Sequence, residues 1–196
     1  MKKHLISASI ASLFLLAGAA SAQQASPPAA PPAPAPVAIP NPTYIAIVQE
    51  IEVAKPAAAV WQRVGKWCDI TEWLGATCAI ASGKDGQLGS VRLLNNGAVI
   101  EVMVARTDLS YTYAQPVRVG VPYNQYHGTL EVKPVTATTS KIIYSLLLDN
   151  SQLADDAARE RDRTNRATRF MGALRNMKTL AEGGTVAFPP AAPAPR

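Results

Sequence analysis

Reactive side chains are few in this chain of 196 residues, and their types limit the chemistry open to it. Of two histidines, His4 sits in an apolar N-terminal leader, so His127 is left without a second imidazole for a metal and without the partners of a nucleophilic triad. No Gly-x-Ser-x-Gly elbow occurs, and Gly83-Lys84-Asp85-Gly86 lacks the spacing of a phosphate loop and reads as a hairpin turn. Neither a metal nor a cofactor is expected. Acids and bases for any reaction must therefore be carboxylates, phenols or water, and the candidates are Glu101, Tyr126 and Tyr144, with Arg92 as a charge partner. The arginines at 159, 161, 163, 166 and 169 could form an anion-binding face, but the acids interleaved among them favour a solvated helix face.

The segment that must position these groups is shorter than the chain. Lys2 and Lys3, the apolar run Leu5 to Leu16 and the small-x-small site Ala20-Ser21-Ala22 have the anatomy of a signal peptide, residues 1–22, which predicts a periplasmic or secreted protein cleaved after Ala22. Ser7, Ser9 and Ser12 interrupt a run already short for a spanning helix, so no stable membrane anchor is expected. Residues 23–42 form a Pro/Ala-rich linker and residues 185–196 a similar disordered tail, neither able to bury a core. What remains, 43–184, is one domain by size. Loss of Lys2 and Lys3 lowers the formal charge from +5 to +3, and with export this argues against a nucleic-acid partner. Cys68 and Cys78 are the only cysteines, and an oxidising compartment predicts that they pair; two buried free thiols are the alternative.

Within the domain, apolar periodicity predicts a strand over Tyr44 to Val53, a helix from Ala57 to Gly65 behind Pro56, and a second short helix over Cys68 to Leu74. Six strands follow: Thr77 to Ala81, Ser90 to Leu94, Ala98 to Arg106, Ser110 to Gln115, Gln125 to Val132 and Ser140 to Leu148. One long helix, up to Gln152 to Glu182, closes the domain before Gly183-Gly184, with Asp155 to Arg159 and Asp162 to Arg166 at the spacing of ion pairs. Its apolar stripe is Ala167, Phe170, Met171, Leu174, Met177 and Ala181, and consecutive antiparallel strands must wrap that stripe in an α+β layer.

A two-residue turn at Asn96-Gly97 sets Leu94 against Val99, Leu93 against Ile100 and Arg92 against Glu101, so opposite charges face each other. The other face carries Val91, Leu93, Ile100, Val102 and Val104, and patterning alone turns that face inward. On the later strands Tyr126 shares a face with Asn124, Leu130 and Val132, and Tyr144 with Ile142, Leu146 and Leu148. Gly128 removes bulk beside Tyr126.

These segments carry a resemblance. Pro56-x-x-x-Val60-Trp61-x-x-Val64-Gly65, Trp73, Gly89-Ser90-Val91-Arg92, Glu101, Val121-Pro122-x-x-x-Tyr126-x-x-Thr129-Leu130-x-Val132 and Tyr144-Ser145 resemble, in order, the polyketide cyclase/dehydrase-type branch of the SRPBCC superfamily, START-like or Bet v 1-like. Leu74-Gly75 stands where that family often has His-Pro, and Cys68 where a small residue is usual. The resemblance implies a helix-grip fold: a seven-stranded antiparallel sheet wrapped around a long C-terminal helix, with two short helices after the first strand. It also implies that Glu101 points into an apolar cavity, against the patterning, which leaves an apolar convex face for a second subunit or a periplasmic protein partner. The expected cavity residues are Arg92, Val99, Glu101 and Met103 from one hairpin, Tyr126, Gly128, Tyr144 and Leu146 from the later strands, and Phe170, Leu174 and Met177 from the helix. The function expected is binding of an apolar or amphipathic molecule, lipid-like or polyketide-like. A cyclase- or dehydratase-like enzyme using Glu101, and an accessory protein of a periplasmic complex, are the alternatives.

Overall fold

A computed structural model describes residues 41–188. The leader, most of the linker and the tail from residue 189 lie outside the described residues. The elements are β1 (Tyr44–Val53), α1 (Ala57–Val64), α2 (Ile70–Leu74), β2 (Cys78–Ser82), β3 (Val91–Leu94), β4 (Val99–Thr107), β5 (Ser110–Ala114), β6 (Asn124–Pro134), β7 (Ser140–Asp149) and α3 (Asp156–Ala181). The seven strands form one sheet in the order β1-β7-β6-β5-β4-β3-β2, every neighbouring pair antiparallel. β2 to β7 are neighbours in sequence as well as in space, and only β1 crosses the fold to pair with β7.

The Asn96-Gly97 turn forms with both residues in the left-handed region, φ 57° and 88°, where Asn and Gly carry little steric cost. The β3–β4 register is the expected one, with Arg92 opposite Glu101 and Leu94 opposite Val99. Patterning is overruled on its face: Arg92 and Glu101 point inward and are buried, whereas Val91, Leu93, Ile100 and Val102 are half-buried and Val104 is exposed.

α3 starts four residues later than its periodicity suggests. The Asp155 carboxylate accepts the Ala158 N–H at 2.7 Å and caps the helix. With Asp155 engaged there, Arg159 pairs with Asp156 rather than with Asp155, while Arg166 does pair with Asp162. The face that α3 buries is Phe170, Ala173, Leu174, Met177 and Leu180; Ala167, Met171 and Ala181 flank it, half-buried. α2 begins at Ile70, because Trp67 and Cys68 belong to the preceding turn, where Cys68 is bridged to Cys78 with Cα atoms 5.6 Å apart. Beyond α3 the ring of Phe188 lies against Gly75; a Cβ on that glycine, at φ 70°, would come within 2.8 Å of it.

Two close contacts lock the sheet to its surroundings. Gly128 on β6 lies opposite Tyr113 on β5, and the tyrosine ring occupies the place of the missing side chain so fully that a Cβ would overlap it. At the end of β7, buried Asp149 accepts the Thr43 N–H at 2.7 Å and the Ser151 N–H and hydroxyl at 3.1 and 2.9 Å, tying the start of β1 to the turn before α3. Burial opposes the Asp149 charge, but the donors from Thr43 and Ser151 outweigh it and hold its pKa below the ordinary carboxylate value.

Gly128→Ala should therefore lower stability by about 1–3 kcal/mol in chemical denaturation, the cost of overpacking a filled site. Asp149→Asn should cost roughly 1–3 kcal/mol at neutral pH. Because the folded-state pKa is depressed, that contribution is present above the unfolded value near ~3.9 and is lost as pH falls through the folded one. The stability gap between Asp149→Asn and the parent should close in acid; a gap independent of pH would mean that the carboxylate charge is not what the three donors hold.

Candidate functional site

The strand pair β3–β4 places one charge of each sign in the interior. Arg92, fully buried, donates from Nε to Glu101 at 2.8 Å, with Nη2 2.6 Å from the same carboxylate oxygen. Its Nη1 donates to the Trp67 carbonyl, and its guanidinium lies 3.6 Å from the centre of the Trp67 ring. Burial opposes the charge on Arg92, but Tyr111 and Glu101 beside it more than offset this and raise its pKa. The second Glu101 oxygen accepts from Gln115 at 3.0 Å, and the Gln115 carbonyl accepts from the Tyr123 hydroxyl at 2.8 Å. A polar chain therefore runs from the buried arginine toward the surface.

That chain ends in a cavity of about 290 Å³ between the sheet and α3. Its inner wall is aromatic: Tyr113, Tyr126, Tyr144 and Phe170, with Ile70 and Leu74 of α2 on one side. Tyr144 lies against Phe170 at 4.5 Å between ring centres, the planes tilted by 30°, and its hydroxyl is 2.8 Å from that of Tyr113. Burial pushes the pKa of Tyr113, Tyr126 and Tyr144 well up, and that of Tyr111 to about 12. These phenols are neutral at ordinary pH and can donate or accept hydrogen bonds, but they are poor bases. The mouth is polar, formed by Asn95, Gln115, Asp162, Asn165, Arg166 and Arg169. Arg166 is held by Asp162, both of whose oxygens accept from its Nε at 2.9 and 3.0 Å, and its guanidinium lies over the rings of Tyr123 and Tyr126 at 4.7 and 5.5 Å.

Of the residues expected to line a cavity, Val99, Glu101, Tyr126, Tyr144 and Phe170 do so. Six do not reach it. Leu146, Leu174 and Met177 are packed in the core, where they are buried with Trp67 and Trp73. Arg92 lies behind Glu101 and under Trp67. Gly128, expected to open space, is instead covered by Tyr113. Met103 lines a separate groove of about 260 Å³ on the α1 side of the sheet, walled by Trp61, Trp67 and Tyr111 and rimmed by the exposed Lys66, Asp85 and Arg106. The cavity against α3 is the better candidate site, because buried Glu101 and half-buried Arg166 converge on its aromatic wall, whereas the polar rim of the groove is exposed surface.

Tyr113, Gln115 and Tyr123 belong to the site without having been nominated from sequence, and Arg166 and Arg169 were expected only as part of an arginine-rich helix face that acids make a solvated one. The signals were there. Tyr111 and Tyr113 alternate along β5 and Gln115 continues the alternation one residue past its end, while Asp162, Arg166 and Phe170 follow one another at four-residue steps on α3, so the apolar stripe continues into the arginines. The bland reading of the arginine-rich segment as a solvated face holds for Arg161 and Arg163, which are exposed, and fails for Arg166, whose side chain is 17% exposed. Among the described residues no cluster of His, Cys, Asp and Glu could hold a metal, and no helix is long and apolar enough to cross a membrane.

Comparison with known proteins follows the same lines. No curated protein matches the chain by sequence. Solved structures do, at identities that speak to fold alone. A protein from Nitrosospira multiformis has 22% identity and a TM-score of 0.54, covering 69% of this chain and 94% of its own. The Zhui aromatase/cyclase from a Streptomyces species has 17% identity and a TM-score of 0.55, covering 73% and 100%. Norcoclaurine synthase from Thalictrum flavum, with a transition-state analogue, has 17% identity and a TM-score of 0.54, covering 72% and 96%. These likenesses make the architecture the helix-grip fold. Residues 44–182 match the family described as polyketide cyclase / dehydrase and lipid transport, and with that match over nearly the whole domain the chain belongs to this family.

Proposed function

We propose that this protein is an exported binder of a small apolar or amphipathic molecule, held in the cavity between the sheet and α3. The observation that carries the reading is the division of that cavity into an aromatic wall and a polar mouth, which would bury a hydrocarbon body and orient it by a few polar contacts. Its volume, about 290 Å³, is at the lower end of ligand sites and suits a molecule of one or two rings better than a two-chain lipid. The family description includes lipid transport, and two structures of the same fold are named as an aromatase/cyclase and a synthase, which supports handling of hydrophobic molecules. Export rests on the leader 1–22, and the Cys68–Cys78 bridge fits an oxidising compartment.

Binding is favoured over catalysis by the state of Glu101. One of its oxygens is taken by Arg92 and the other accepts from Gln115, so both are engaged by protein side chains before any ligand arrives. The buried phenols are held in their neutral form and do not replace it as bases. Glu101 is best read as the counter-ion that allows Arg92 to be buried.

Native mass spectrometry of protein purified from the extracytoplasmic fraction should show a bound small molecule, and titration with naphthol should quench tyrosine and tryptophan fluorescence with a one-to-one stoichiometry. A chain that emerges empty and ignores naphthol would remove the cavity from the functional account. Glu101→Gln should lower stability by about 3–5 kcal/mol, the cost of leaving the other charge of a buried pair uncompensated. A Glu101→Gln variant as stable as its parent would reopen the case for a catalytic carboxylate.

A further inference from the structure

The mouth of the cavity has an unbalanced charge. Three arginines, Arg92, Arg166 and Arg169, stand in or behind the site against two carboxylates, Glu101 and Asp162, and each carboxylate is already committed. Arg92 takes Glu101. Arg166 takes Asp162, but only through Nε; its Nη1 and Nη2 make no hydrogen bond among the described residues. Arg169, also on the cavity lining, has no carboxylate within bridging distance among the described residues. The result is one fixed guanidinium fork and one free cation at the edge of an aromatic pocket.

Arg166 is also held in place. Asp162 fixes its Nε, the Tyr123 and Tyr126 rings lie under its plane, and its side chain is 17% exposed, so little further ordering is needed before the fork meets a ligand. A neutral ligand filling the cavity would strip water from these cations without replacing it. An anionic group would supply the acceptors that the fork and Arg169 lack. Asn95 and Asn165 on the same rim are neutral and can accept or donate, so they add no competing charge.

We propose that the ligand of this cavity is an amphipathic monoanion, a flat apolar body ending in a carboxylate, with the carboxylate seated between the Arg166 fork and Arg169 and the body against Tyr126, Tyr144 and Phe170. This rests on the cavity being the binding site. Flatness follows from the wall: a ring stacks on neighbouring aromatic faces where a branched chain would not. The carboxylate follows from the planar fork, which matches two coplanar oxygens.

Paired titration calorimetry with naphthoate and naphthol, molecules alike in body and different in head, tests this at neutral pH and low salt. Naphthoate should bind about five-fold tighter or more, the size expected of one partly exposed charge contact. The preference should shrink with added salt. In Arg169→Gln the ratio of the two affinities should fall toward one, and in Arg166→Lys, which keeps the charge but loses the fork, it should fall part of the way; thermal melts establish that both variants are folded. Equal affinity for the two probes in the parent protein would overturn the anion seat and leave the cavity as a neutral apolar site. An undiminished preference in folded Arg169→Gln would equally overturn it, since the anion would then be held elsewhere. Failure of both probes to bind would remove the cavity itself as the site, and the anion seat with it.

Discussion

A charged side chain with no exposure to water lies at the centre of this fold, and the elements around Arg92 are arranged so that the charge is tolerated. Removing an arginine from water costs several kcal/mol even after relaxation, and the attraction of a partner offsets this only with good geometry and additional hydrogen bonds. Glu101 comes from the neighbouring strand in register, the carbonyl of Trp67 comes from the turn between α1 and α2, and the Trp67 ring supplies a cation–π face. The same turn carries Cys68, whose bridge to Cys78 fastens it to the strand paired with β3. Displacing the turn, slipping the β3–β4 register or breaking the hairpin would each leave a buried charge short of a partner. The pair is therefore more a constraint on conformation than a source of net stability.

The same constraint limits the size of the cavity. Trp67 lies over Arg92, Trp73 beside Tyr144 and Tyr113 on Gly128, so side chains take up much of the interior. The cavity against α3 lies where the tyrosines of β5, β6 and β7 face the helix and Gln115 links Glu101 to Tyr123. Buried phenols in such a place stay protonated, and the carboxylate nearest them is neutralised by Arg92. The interior is thus electrically quiet, and the uncompensated charge is at the mouth.

Much of the architecture could be read from the chain. Seven strands separated by turn signals, two short helices behind Pro56 and a long helix before Gly183-Gly184 are local patterns, and their antiparallel order follows because consecutive strands joined by short turns pair with each other. The Arg92–Glu101 register was legible for the same reason, since a two-residue turn leaves no freedom in the pairing. Patterning pointed to the opposite face of that hairpin because periodicity counts apolar side chains and cannot see a charge neutralised by a neighbour. The helix starts shift for reasons that periodicity does not contain: a cap at Asp155 starts α3, and the turn bridged at Cys68 delays α2 to Ile70.

The candidate site divides along the same line. Tyr126, Tyr144 and Phe170 were nameable because alternation on a strand and four-residue steps on a helix assign each residue to a face. Which of those faces stays open was not nameable, because free volume is what remains after every side chain has been placed. Gly128 looked like an opening, but Tyr113, adjacent across the sheet, fills it; Leu174 and Met177 looked like cavity wall and are instead fully buried in the core. The amino-acid sequence by itself determined the elements, their pairing and the charges available, because these depend on neighbours along the chain. Only the tertiary structure decided where the space lies and which arginines border it, because a cavity is set by contacts between segments that the sequence keeps apart.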